Sequence, residues 1–83
     1  MRRMPPAEPR IVRWSDHALV KADLLGFARA DVEVAVLELH HGRRANTGAA
    51  DWLLSTGRLV VACNHPDGDD EFAAFVVTLW RRT

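Results

Sequence analysis

RLVVACN (residues 58–64), HPDGDD (65–70) and EFAAFVVTLWRR (71–82) read as two long strands joined by an acidic turn. Side chains alternate across a strand, so Phe72, Ala74, Val76, Thr78 and Trp80 are expected on one side of the second strand. Ala73, Phe75, Val77, Leu79 and Arg81 are expected on the other. Neither set is polar along its length, which predicts a central strand with helices over one face and a partly covered second face. The rest of the chain is short enough to lie on this hairpin.

Working outward, residues 1–9 (MRRMPPAEP) hold three prolines and read as a flexible tail ahead of a single domain over residues 10–83. RIVRW (10–14) is β-rich and alternating, a first strand. Ser15 or Asp16 then offers an oxygen to cap a helix over 17–25, and Gly26 provides its exit. Val20, Leu24 and Phe27 are spaced for one buried stripe, with His17 and Lys21 together at its edge. DVEVAVLELHH (31–41) fits both patterns: Val32, Val34 and Val36 alternate as a strand would, while Val32, Ala35, Val36 and Leu39 make a helical stripe. Its length, the acid in its first turn, the histidines in its last and Gly42 beyond favour a helix. Residues 42–49 (GRRANTGA) read as a loop, ADWLL (50–54) as a short strand, and STG (55–57) as the turn that leads into Arg58. The expected architecture is α+β, in the order β-α-α-β-β-β: two helices packed on one face of a small antiparallel sheet of about four strands.

At 83 residues such a domain buries roughly 60% of its unfolded surface. No apolar run approaches the ~20 residues that span a bilayer, and MRRMPPAEPR lacks the apolar segment of a signal peptide. The expectation is a cytoplasmic protein with no membrane contact, consistent with a lone cysteine, Cys63, read as a small buried hydrophobe. Net charge is zero but uneven. Arg2, Arg3, Arg10 and Arg13 oppose Glu8 alone up to residue 13, whereas Asp67, Asp69, Asp70 and Glu71 crowd the hairpin turn. Local basic patches are compatible with this balance; a strongly basic domain is not.

His17-Ala-Leu-Val-Lys21-Ala-Asp-Leu-Leu25-Gly26-Phe27, a second helix from near Asp31, Gly57-Arg58-Leu-Val-Val, and Val-Val-Thr78-Leu-Trp80 together resemble small RelE-like domains. Those domains belong to the broad superfamily of barnase, EndoU, colicin and RelE ribonucleases and toxins, which includes BrnT-like and uncharacterised families. The resemblance runs from Arg10 onward. Lys21 and Leu25 stand where relatives often carry arginines, and Phe27 where they carry isoleucine. The resemblance implies a toxin-like, metal-independent endoribonuclease of a toxin-antitoxin type system, with RNA as substrate and an antitoxin or immunity protein as partner.

Such cleavage requires that the RNA 2′-hydroxyl lose a proton, that the leaving 5′-oxygen gain one, and that fixed cations or donors meet the phosphorane charge. His17 is the candidate acid or base, since imidazole titrates near neutrality. Lys21 and Arg58 are candidate phosphate contacts, and Thr78 a hydroxyl donor to a phosphate oxygen. The same residues also suit plain structural roles, as surface charges on a helix and a turn and as a β-branched strand residue. The alternative on this fold is a non-catalytic interaction module, in which strand edges and Trp52 or Trp80 bind another protein or a second copy as a homodimer. No cofactor is expected. His40, His41, Cys63 and His65 supply ligand types without metal-site spacing. Asp67 to Asp70 lack the spacing of a calcium loop and read as a solvated turn. Trp14, Trp52 and Trp80 all fall in strands, where packing is the expected use.

Overall fold

The computed structural model describes residues 9–39, 42–46, 48 and 50–82. The elements are β1 (Ile11–Trp14), α1 (Asp16–Leu25), α2 (Arg29–Leu39), β2 (Arg44–Ala45), β3 (Trp52–Thr56), β4 (Leu59–Asn64) and β5 (Ala73–Arg81). The strands form one sheet in the order β1-β5-β4-β3-β2. The α+β class is as expected, but the sheet is mixed rather than antiparallel. β1 runs parallel to β5, Ile11 opposite Ala73 through Trp14 opposite Val76, while the other three pairings are antiparallel. A parallel pair needs a long crossover, and everything between β1 and β5 provides one. The fifth strand, β2, lies in the expected loop; at two residues it is too short to carry a periodic signal.

α1 begins where expected and is capped at both ends. Ser15, in extended conformation, accepts the Ala18 amide on its side chain, a standard N-cap. At the other end Gly26 takes φ +79°, while Gly26 N–H donates to the Asp23 carbonyl and Phe27 N–H to that of Ala22. This is the Schellman arrangement, whose left-handed position favours glycine. The buried face differs from the expected stripe. Ala18 and Ala22 are fully buried, whereas Val20 is 59% and Leu24 80% exposed. Small residues let the helix backbone approach the sheet closely, so the alanines face inward and Val20 and Leu24 outward, while Leu25 and, just past the helix, Phe27 of the expected stripe pack against the core.

α2 settles the ambiguous valine segment as a helix, starting two residues before Asp31. Val32, Ala35 and Val36 are buried and Val34 is about half exposed, a helical stripe rather than strand alternation. Trp14 Nε1 ties this helix to β1 through Glu33 Oε2 at 2.9 Å.

β3 and β4 meet in the two-residue turn Gly57-Arg58, with Gly57 at φ +52° and Arg58 at negative φ. That sign pattern belongs to a type II′ hairpin, which takes glycine first. Arg58 is therefore a turn residue and not the start of β4. β5 departs from strict alternation. Ala62 pairs with Thr78 but Cys63 pairs with Val76, leaving Val77 as the extra residue of a β-bulge. The bulge switches parity, so Val76 and Leu79, three apart, both lie on the helix-covered face opposite Cys63 and Val61. Both are fully buried.

The core lies on that face: Ala18 and Ala22 of α1, Val32, Ala35 and Val36 of α2, and Leu54, Leu59, Val61, Cys63, Ala74, Val76 and Leu79 of the sheet. The second face carries Leu53, Val60, Ala62, Phe75, Thr78 and Trp80 by strand pairing. Among the described residues no helix crosses it, which accords with the expected partly covered face.

Candidate functional site

β1 pairs with β5 only as far as Val76, and there α1 takes over along β5. The handover is fixed by Ser15. Its amide donates to the Val76 carbonyl at 3.0 Å, and its hydroxyl donates to the Val77 carbonyl at 2.7 Å while accepting from Ala18. One side chain thus starts the helix and satisfies the carbonyl that the bulge turns away from its ladder.

From this anchor α1 runs beside β5 in matched steps. His17 Nε2 lies 3.1 Å from Thr78 Oγ1. One turn later Lys21 Nζ stands 6.0 Å from the centre of the Trp80 ring. At the helix end the Leu25 carbonyl accepts from Arg81, whose guanidinium also sits over the Phe27 ring at 5.5 Å. Four helical residues rise about 6 Å and two strand residues about 6.6 Å, so His17 with Thr78 and Lys21 with Trp80 stay in register, while Arg81, on the other face of β5, closes the contact at the helix end. His17 is exposed and Thr78 and Lys21 are half-buried; the pair forms a shallow, solvent-reached site at the helix–strand seam. The imidazole tautomer sets whether nitrogen or hydroxyl donates.

Three of the four residues singled out for chemistry therefore converge: His17, Lys21 and Thr78. Arg58 does not join them. Its carbonyl accepts the Arg82 amide at 2.5 Å, which places it four strand residues beyond Thr78, about 13 Å along β5. The two tryptophans separate likewise. Trp80 is 37% exposed, beside Thr78 on the same face. Trp52 packs against the core, its Nε1 donating to the His65 carbonyl at 3.1 Å and its ring lying under Arg43 at 4.3 Å.

The remaining polar clusters hold the fold. His65, buried, has Nδ1 2.7 Å from Arg43 Nη1 and Nε2 3.0 Å from the Glu71 carbonyl. Guanidinium only donates, so Nδ1 accepts and Nε2 carries the hydrogen. Arg13 bridges Asp67 at 3.1 Å and Asp70 at 2.9 Å, clamping the acidic turn to β1. Burial pushes the Cys63 thiol up to about 11, opposed in part by Arg43 and assisted by Asp51; it stays protonated and unreactive. Among the described residues no three histidine, cysteine or acidic side chains converge on a metal position. His40 and His41 lie outside the described residues.

Two features of the site are missed by sequence reasoning. Ser15 is recognisable as a cap, but its second bond, 62 residues away, has no local signal. Val20 and Leu24 look like a core stripe and instead border His17 and Lys21 on the outer side of α1. No family model, curated protein or solved structure matches the chain.

Proposed function

We propose that this chain is a toxin-like, metal-independent endoribonuclease whose centre is His17 with Thr78, flanked by Lys21. The observation that carries this reading is the 3.1 Å contact between His17 Nε2 and Thr78 Oγ1, which sets an acid–base group and a hydroxyl against each other on an exposed surface with a cation one turn away. In the reaction His17 takes the proton of a ribose 2′-hydroxyl as its oxygen attacks the adjacent phosphorus. The bond to the 5′-oxygen breaks, that oxygen is protonated from solvent, and a 2′,3′-cyclic phosphate and a free 5′-hydroxyl result. Lys21 neutralises the non-bridging oxygens as charge builds on them. The Thr78 hydroxyl orients the imidazole and then donates to the phosphate. The sheet near the site helps, because neither residues 52–64 nor 73–82 contain a carboxylate. An antitoxin or immunity protein as restraint and a cytoplasmic setting belong to the same reading.

A second reading has its own support. Val20 at 59% and Leu24 at 80% exposure border the site with Trp80, an apolar rim suited to a protein partner or a second copy. An interaction module using this rim would need no chemistry at His17.

Expression of the wild-type chain beside His17→Ala, with growth followed and total RNA examined, separates the two. The nuclease reading expects arrest with RNA cleavage that His17→Ala relieves. The interaction reading expects intact RNA, and partner or self-association that Leu24→Ala weakens.

A further inference from the structure

Beyond the His17–Thr78 pair, β5 carries Trp80 on the same face, and Arg82 follows directly after its last residue, Arg81. Across the sheet Trp80 pairs with Val60, and Arg82 adjoins Arg58 in the β3–β4 turn. The side chains of Arg58 and Arg82 are exposed and make no hydrogen bond or ion pair among the described residues, whereas Arg81 is held on the helix side by Leu25 and Phe27. The seam thus presents three levels in line. His17 and Thr78 make the first, Lys21 and the Trp80 ring the second, and Arg58 with Arg82 the third. Each step is about 6.6 Å, close to the repeat of an extended single nucleic acid strand.

We propose that this strip is a track for single-stranded RNA, with Trp80 stacking the base next to the scissile phosphate and Arg58 with Arg82 taking a phosphate further along. With Lys21 Nζ over its ring, the Trp80 indole offers a base a π-face and a charge contact together. A duplex buries its base faces in its own stack and cannot use such a platform. Arg58 thereby has a function away from the reacting atoms, as a binding residue. The proposal rests on the nuclease reading for its substrate, but it can be tested without cleavage.

Binding of a fluorescently labelled, mixed-sequence 2′-O-methyl oligonucleotide, which lacks the attacking hydroxyl, is measured by anisotropy at a series of salt concentrations. Wild-type protein is expected to bind it and to prefer it to the same sequence as a duplex. Trp80→Ala should weaken binding about 10-fold or more, and Trp80→Phe should restore most of it. Replacing Arg58 and Arg82 together by alanine, which removes the contact to one phosphate, should lower the slope of log affinity against log salt by about 0.7. Wild-type protein that fails to bind at low salt, binds duplex equally well, or binds undiminished after Trp80→Ala overturns the track. Binding with these dependences but no cleavage of ordinary RNA upholds the track and removes the nuclease reading. Cleavage that is indifferent to Trp80→Ala, with undiminished binding, does the reverse.

Discussion

His17 and Thr78, 61 residues apart in sequence, meet at 3.1 Å because α1 starts where β1 stops and then follows β5. An imidazole acting as general base contributes typically 10²- to 10⁴-fold, so His17→Ala should lower RNA cleavage within that range while leaving the fold intact, since the ring is exposed. Thr78→Val keeps the shape and removes the hydroxyl, and Thr78→Ser restores it. Cleavage should fall with valine and recover with serine, measured on purified protein at matched concentration.

Ser15 makes two bonds with one hydroxyl, and they can be separated. Ser15→Ala should cost about 1–2 kcal/mol, a lost cap plus an unpaired carbonyl at Val77. Ser15→Asp retains the acceptor for the Ala18 amide but has no proton for Val77 and sets a carboxylate against that oxygen. If the second bond matters, aspartate will fail to restore stability in urea denaturation, although it is as good a cap as serine.

Ala18 and Ala22 are fully buried where α1 meets the sheet, so enlarging either forces the helix away from β5. Ala22→Leu should cost about 1–3 kcal/mol and, by opening the seam, lower cleavage as well. Leu24→Ala, on the exposed side of the same helix, should stay within about 0.5 kcal/mol of wild type. Thermal unfolding of the two variants, read beside wild type, checks the inversion of the expected stripe.

These residues show which parts of the fold were legible. Caps, glycine exits and the long hairpin are local chemistry, so Ser15, Gly26 and the strands around the acidic turn could be read from sequence. α1 could be placed, but not its orientation, because apolar spacing favoured Val20 and Leu24 while close packing on β5 selected the alanines. The direction of β1 and the bulge at Val77 depend on pairings distant in sequence, and the bulge alone brings Leu79 to the same face as Val76, from which strict alternation separates it. The candidate site follows the same division. His17 and Lys21, one helical turn apart, could be grouped at once. Thr78 could be brought to them only by the tertiary fold. Arg58 looked like a strand residue able to reach them, and the type II′ turn carries it to the end of the sheet.

Cys63 gives the chain a pH dependence of known sign. Its thiol titrates at about 11 in the folded protein, above the ordinary value of 9.0, because burial penalises the thiolate. The folded state therefore holds the proton more tightly than the unfolded chain. The associated stability is complete below pH 9 and is lost as pH rises toward 11. Urea midpoints across that window should fall more steeply for wild type than for Cys63→Ala. Native protein should also resist iodoacetamide at pH 8 and react once unfolded.

The most direct test of the central claim is the product of RNA incubated with purified wild-type, His17→Ala and Thr78→Val proteins in the presence of a chelator, with the new 3′ ends identified. Cleavage by wild type that leaves 2′,3′-cyclic phosphates, reduced at least 100-fold by His17→Ala and lowered by Thr78→Val, is the predicted result. Intact RNA with folded wild-type protein, or cleavage that survives His17→Ala unchanged, would contradict the account and leave the apolar rim of Val20, Leu24 and Trp80 as the working surface of the molecule.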